Sequence, residues 1–327
     1  MGRVQRRQFL IATGALVVAP RQTVAQNAGR LRRIGLLYAS TKEGVATEME
    51  AVIERLRELG HVPGKNLQVV ARFAGGVPAR LPDLARELVD EGVEVVFVPN
   101  AQGALALQRL SERIAIVFIA GDPVGSGLVN SLARPGRNAT GFTLGAITIV
   151  GKRVQQLKEA FPSIKKIGVL VDLASGTQKE LDLVIEASRK LGMRVQHSEP
   201  SSRDQYLDAV VRLRDAGVDA YYVAYTASSF AIRRDLAAAI RNTRRPAIYS
   251  NSRFCDDGGL MAYSYQQLKV AVLAAEYIDR ILRGTSPAEL PVQEPTLIEF
   301  VVNLATAREQ GISVPQAILV RADRVIE

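Results

Sequence analysis

The sequence predicts an α/β fold: two doubly wound, parallel-sheet lobes with a ligand cleft between them. Three observations carry that expectation. Apolar runs rich in Val, Ile and Leu alternate with segments of helical period, as in sheets covered on both faces. The alternation runs to residue 120, pauses across the glycine-rich stretch GDPVGSGLVNSLARPGRNATGF (121–142) and resumes at 150. A proline-rich connector, GTSPAELPVQEPT (284–296), then precedes a last strand and a short helix, and is long enough to carry the chain between lobes.

Taken in order, the strands are expected at RRIGLLYA (32–39), NLQVVARF (66–73), VEVVFVP (93–99), IAIVFIA (114–120), KKIGVLVD (165–172), MRVQHSE (193–199), DAYYVAY (219–225), PAIYS (246–250) and LIEFVVN (297–303). Between the first two, Val45, Met49, Val52, Ile53, Leu56 and Leu59 recur at helical spacing, and Gly60 stands where a helix stops. Further helices fit 80–90, 102–112, 150–160, 177–191, 203–215, 229–242 and 266–283. Strands alternating with helices indicate parallel sheets with crossover helices. The expected division is residues 30–141 plus about 251–284 for the first lobe and 142–250 plus about 285–327 for the second.

The start is a different kind of segment. MGRVQRRQFLIATGALVVAPRQTVA has a basic beginning, an apolar run from Phe9 to Ala19 and small residues at Thr23-Val24-Ala25, the features of a secretory signal removed near Ala25. Arg6-Arg7 followed by Phe9 and Leu10 resembles a twin-arginine export signal. The apolar run is too short for a membrane span, which takes roughly 20 residues. The expected location is therefore periplasmic.

At 327 residues, 47% hydrophobic and 23% charged, the chain can bury two cores of about 120–170 residues each. Its single cysteine, Cys255, excludes an internal disulfide, and a buried small apolar role is expected for it. The formal charge of +9 falls to +5 without the four arginines of residues 1–25, too mild and too evenly spread to indicate nucleic acid.

Several chemistries are excluded by missing residues. The glycine-rich stretch has no lysine for a phosphate loop, and the first strand leads into YASTKEGV rather than a dinucleotide turn. With two histidines, His61 and His197, and one cysteine, no metal set is expected; both histidines are expected at the surface. No G-x-S-x-G elbow presents a nucleophilic serine. Asp256-Asp257 is expected to cap a turn, and the Arg-Arg pairs at 32–33, 233–234 and 244–245 to be solvated. Neither a catalytic residue nor a cofactor is expected.

What remains are polar and aromatic residues at the carboxyl ends of strands, where open α/β sheets hold ligands. They are Tyr38 and Ser40, Asn100 and Gln102, Asp122, Asp172 and Ser175, Tyr225 and Thr226, and Ser250 and Asn251. Helices starting just after them would aim free N–H groups at an anionic part of a ligand. Taken singly, such a residue is more often a helix cap than a ligand contact.

Six stretches point to a family: GHVPGKNL (60–67), IAIVFIAGDPVGSGLVNSLARPGRNATGF (114–142), GKRVQQLKEAFP (151–162), GGLMAYSY (258–265), EYIDRILRGTSPAELPVQEPT (276–296) and NLATAREQGISVP (303–315). In this order the chain resembles the ABC-transporter substrate-binding proteins of the tryptophan/tyrosine-type group, a branch of the type I periplasmic binding protein fold. The resemblance implies a small solute closed between two lobes and delivery to a membrane permease driven by an ATPase; a monomer that is not an enzyme is expected. It also implies a free amino acid, of aromatic type, as a ligand. Thr140 and Tyr265, inside matched stretches, join the expected ligand-binding set. Asp122 or Asp172 would meet the ammonium, Tyr38 and Tyr225 would pack on the side chain, and Gly141, Phe142 and Ser250 would act as the hinge. The chain departs from the family's usual Gly-Thr turn at PNAQGA (99–104), and its AYTASSF (224–230) matches no known ligand pattern.

Two other classes share this architecture. An exported hydrolase or oxidoreductase could use the same cleft, and twin-arginine export favours cofactor-bearing proteins. A sugar-sensing repressor would need an N-terminal helix-turn-helix where this chain has a signal.

Overall fold

The computed structural model describes residues 31–327 apart from Gly145 and Gly176, so the expected signal over residues 1–25 lies outside the described residues. The first sheet is built from β1 (Arg32–Tyr38), β2 (Leu67–Phe73), β3 (Val95–Val98), β4 (Ala115–Ala120) and β5 (Ala139–Thr143). All five are parallel, in the order β2-β1-β3-β4-β5. Helices α1 (Lys42–Glu58), α2 (Leu81–Asp90) and α3 (Ala101–Leu110) make the crossovers, and α4 (Ala146–Ala160) opens the second lobe.

The second sheet takes β6 (Lys166–Leu170), β7 (Arg194–Ser198), β8 (Ala220–Val223), β9 (Ala247–Tyr249), β10 (Met261–Tyr265), β11 (Ile298–Asn303) and β12 (Arg324–Ile326), in the order β12-β11-β10-β9-β8-β6-β7. Its helices are α5 (Gln178–Lys190), α6 (Arg203–Asp215), α7 (Ala227–Ala231), α8 (Arg233–Asn242) and α9 (Arg253–Asp256). Helix α10 (Gln267–Leu282) returns to the first lobe, and α11 (Leu304–Gln310) and α12 (Gln316–Leu319) close the chain.

Local chemistry explains these elements. Thr41 caps α1 by accepting from the Gly44 N–H at 3.1 Å, and Val45, Val52 and Leu56 form the buried stripe the spacing predicts. That stripe meets Ala271, Ala274 and Ala275 of α10 in one apolar cluster with β1, the alanines letting the two helices come close. Arg55–Glu276 at 2.8 Å joins the same two helices at their polar margin, and His61, in the loop after α1, meets Asp279 of α10 at 2.7 Å. The central strands β3 and β8 are buried along their whole length, as continuous apolar runs covered on both faces must be.

The structure corrects the expected division at two places. β10 pairs in parallel with β9, so residues 251–265 belong to the second sheet, and the first lobe resumes only at α10. Leu290 and Val292 pack into the first-lobe clusters, so the chain does not leave that lobe at 285. The connector therefore re-enters the second lobe at the edge where β10 ends, and β11 must run back antiparallel to it, pairing Ile298 with Tyr265. The second sheet is mixed rather than wholly parallel for that reason.

The residues expected at the hinge fall inside the lobes. Gly141 and Phe142 lie inside β5, paired with Phe118 and Ile119 of β4, and Phe142 is buried against Tyr277. Ser250 follows β9 within the second lobe. The chain crosses between lobes at Leu144, at Gln266 and at residues 294–297, where Gln266 N–H donates to Leu297 O at 2.8 Å. Three smaller expectations also change. His61 is mostly buried at its bond to Asp279. Arg233 is buried over the Phe230 ring, its Nε 2.7 Å from Asp257, so neither it nor Asp257 is a solvated surface charge. Cys255, by contrast, is fully buried as expected.

Candidate functional site

Parallel strands leave their carboxyl ends on one edge, and the two sheets turn those edges toward each other. Between them lies a cavity of about 450 Å³. From the first lobe come Ala39 after β1, Pro99 to Gln102 after β3 and Ala120 to Asp122 after β4. From the second come Ser175, Tyr225 to Ala227 after β8, Ser250 after β9 and Tyr265 at the end of β10. A wider depression of about 660 Å³ lies at the opposite edge of the first sheet, where Arg32 and Glu94 already pair at 3.3 Å.

Apolar side chains make much of the cavity wall: Ile119, Leu144 and Ile149, with the rings of Tyr225 and Tyr265. Set into that wall are polar atoms that the fold leaves unsatisfied. Glu48 Oε1, Asn100 Nδ2 and Thr177 Oγ1 are buried with no hydrogen-bond partner among the described residues. Asn100 shows how this arises: its Oδ1 caps α3 by accepting from Gly103 N–H at 2.7 Å, which leaves the amide NH₂ facing away from the helix it starts. Unpaired buried polar groups are costly and rare in folded chains, and a ligand is one way to satisfy them.

The charged groups of the wall differ in their pairing. Arg153, only 2% exposed, donates from Nε to Tyr263 O at 2.8 Å and from its guanidinium to Glu180 and to the Tyr222 hydroxyl. Tyr222 in turn donates to Glu180, so this arginine and carboxylate form a closed unit. Asp122 accepts from Gly125 N–H at 2.8 Å and stands 3.9 Å from Lys179 Nζ on the other lobe. Glu48 has no such arrangement. Burial pushes its carboxyl up to about 7, the charge of Arg253 opposing the rise only in part. Burial, and then the charge of Glu48, push the Tyr38 and Tyr225 phenols upward, so both stay neutral donors.

Of the residues expected from the sequence, Asn100, Gln102, Asp122, Ser175, Tyr225, Thr226 and Tyr265 line the cavity, as does Ser250. Others stand outside its wall. Tyr38 is buried in the first lobe, stacked on Phe73, its hydroxyl without a partner among the described residues. Ser40 is buried beside Gly44. Thr140 donates to Leu290 O at 2.6 Å inside the first lobe. Asp172 accepts from Ser175 and Ser228, both at 2.9 Å, which holds the loop after β6 to α7. Asn251 donates to Gln267 at 2.7 Å and so supports the cavity from behind. Glu48, Arg153, Thr177, Lys179, Glu180 and Gln267 line the cavity and were not anticipated.

The lobes touch outside the cavity as well. A side chain built at Gly76, in the loop after β2, would start 2.6 Å from the Cβ of Ala231 on α7. Such an approach exists only because that glycine has no side chain. The site is thus a polar-studded apolar chamber between two lobes in contact, suited to enclosing a small solute.

Comparison with known proteins agrees with that geometry. The chain is 23% identical over 315 residues to a tyrosine-binding protein of Clostridioides difficile, covering 91% of this chain and 90% of that protein. Among solved structures, a conserved domain protein from Vibrio cholerae matches with a TM-score of 0.85 at 24% identity, covering 90% of this chain and all of that one. An ABC domain from Streptococcus pneumoniae, solved in complex with L-Trp, matches with a TM-score of 0.82 at 22% identity, covering 90% of this chain and 99% of that one. The family model described as ABC transporter substrate binding protein matches residues 33–326, nearly all of the described chain, and it is a family of binding proteins, which sets aside the exported-enzyme alternative. This chain belongs to the ABC transporter substrate-binding protein family.

Proposed function

We propose that the protein is the extracytoplasmic receptor of an amino acid importer, enclosing a free amino acid with an aromatic side chain. As a substrate-binding protein it takes a small solute and works with a membrane permease. We further assign the energy source to an ATPase on that permease, a monomeric state to the receptor, and export to the segment 1–25, with its Arg6-Arg7 pair.

One observation carries the ligand class. The cavity joins an apolar wall with two tyrosine rings to unpaired polar atoms of both kinds, the acceptor Glu48 Oε1 and the donor Asn100 Nδ2. A zwitterion with an aromatic side chain needs that combination: an acceptor for its ammonium, donors for its carboxylate and ring faces for its side chain. The tyrosine- and tryptophan-binding relatives support the same ligand class.

The test is thermal unfolding against the twenty amino acids and a panel of sugars. At a hundred times its Kd a ligand of the folded state adds about 2.7 kcal/mol of stability. L-tyrosine or L-tryptophan should raise the Tm, with sugars inert. A panel in which no amino acid moves the Tm would reject the assignment.

A further inference from the structure

We infer that Glu48 is the ammonium-binding group of the cavity, and that capture of an amino acid expels the proton this carboxyl holds in the empty site. The inference rests on the amino acid assignment above and specifies which residue makes it work.

The sequence already places Glu48 oddly. It sits three residues after Val45 and four before Val52, both buried, so helical geometry turns an acid toward the buried side of α1. There it joins the cavity wall with Oε1 closed off from solvent and without a hydrogen-bond partner among the described residues. The other acids of the wall are engaged: Glu180 by Arg153 and Tyr222, and Asp122 by Gly125 and Lys179. Glu48 is therefore the carboxylate left for a cation that arrives with the solute.

Three titratable groups act on it from neighbouring elements: Tyr38 on β1, Tyr225 after β8 and Arg253 on α9. The two phenols stay neutral and cannot balance its charge. Arg253 is shared with Asp256 at 3.6 Å and offsets only part of the burial cost, so the carboxyl remains protonated up to about pH 7. An ammonium placed against it reverses the balance, because the charged pair is favoured once both partners leave water together. The step conserves atoms and charge: the solute enters as its zwitterion, Glu48 changes from COOH to COO⁻, and one proton leaves to solvent. Affinity then rises with pH and levels off once Glu48 is already ionised in the empty site.

The experiment is titration calorimetry of the full exported protein at about pH 6, below the value burial sets. The probes are L-tyrosine, L-tryptophan and indole-3-propionate, the last lacking the amine, each in two buffers of different ionisation enthalpy. Wild type should release close to one proton per amino acid bound. Glu48→Gln should weaken L-tryptophan roughly 100-fold, bind indole-3-propionate no more weakly than wild type does, and release no proton. Glu48→Asp, which keeps the carboxyl, should restore proton release. Tight amino acid binding by Glu48→Gln, or wild-type binding without proton release, overturns the inference alone. If wild type binds neither amino acid, the amino acid assignment falls and takes this inference with it.

Discussion

Lys179 Nζ stands 3.9 Å from Asp122 Oδ2 across the mouth of the cleft, and it is the second lobe that supplies the cation. The side chains are 59% and 47% exposed, so the pair is largely hydrated. Exposed pairs of this kind contribute about 1 kcal/mol or less. Lys179→Ala should weaken solute binding by roughly two- to fivefold at low salt, and the difference should fade at about 1 M salt, where charges are screened within about 3 Å. Calorimetry at two salt concentrations checks this. A larger loss that salt does not touch would mean that Lys179 contacts the solute itself.

Gly76 makes a sharper demand on closure. Its φ is +82° and a Cβ there would lie 2.6 Å from Ala231 Cβ, so Gly76→Ala adds both backbone strain and a wedge between the lobes. Gly75→Ala separates the two effects, because its φ is +69° while its nearest neighbour is the tip of the Arg80 side chain at 3.5 Å. Both variants should lose about 1–2 kcal/mol of stability. Only Gly76→Ala should lose roughly tenfold or more in solute affinity, and only in it should solute no longer reduce the radius of gyration measured by small-angle scattering. Equal affinity losses in the two variants would remove the wedge.

Glu48 sets a pH dependence of the empty protein. Its carboxyl rises from 4.5 to about 7 on folding, so between those values the folded chain binds more protons than the unfolded one. Stability conferred by such a group is present at low pH and falls as pH climbs from about 4.5 to 7, by up to about 3 kcal/mol. Glu159 works in the opposite sense, since the hydrogen bond from Arg321 holds its carboxyl low and its contribution is lost only in stronger acid. Urea denaturation across pH should therefore show wild type weakening toward neutrality and Glu48→Gln staying flat over that window. Parallel curves for the two proteins would contradict the burial of this carboxyl.

The sequence displayed the layered fold well because its central strands are buried on both faces and need continuous apolar runs, as in VVFV of β3 and AYYV of β8. The strands it hid are those without such a run. β5 is ATGFT, read as part of a bending connector because its glycine is more typical of turns than of strands. β10 is MAYSY, a strand broken by polar groups rather than an apolar run: Tyr265 lines the cavity, Tyr263 packs against the second-lobe core and Ser264 accepts from Ser252 N–H. Strand-end residues of the site, such as Asn100 and Tyr225, followed from the rule that parallel sheets hold ligands at their carboxyl edge. Glu48 and Arg153 lie on helices, where that rule has no reach. Their signal was nevertheless present: each is a charge three residues after one buried valine and four before another buried aliphatic residue, Val45 and Val52 for Glu48, Val150 and Leu157 for Arg153. A charged residue inside an apolar helical stripe has to find a partner, and in both cases the cavity is where it looks.

Gly141 decides whether the end of the glycine-rich stretch is a strand or a hinge. Its φ is +147°, and a Cβ would fall 2.0 Å from Phe118 O and 2.6 Å from Phe118 N, both backbone atoms of β4 that cannot swing aside. Gly141→Ala must therefore push β5 off its neighbour, breaking the register that pairs Gly141 with Phe118 and Phe142 with Ile119. The expected cost is roughly 3 kcal/mol or more, seen as a lowered urea midpoint or a loss of soluble protein. Gln266→Gly lies instead where the chain crosses between lobes; it keeps the bond from its N–H to Leu297 O and removes the long side-chain bond from Nε2 to Ile298 O at 3.4 Å. It should cost about 1 kcal/mol or less and enlarge the difference in radius of gyration between empty and solute-bound protein. If Gly141→Ala kept wild-type stability and changed that difference instead, the bending would belong to β5, and the pairing of β4 with β5 would have to open during closure.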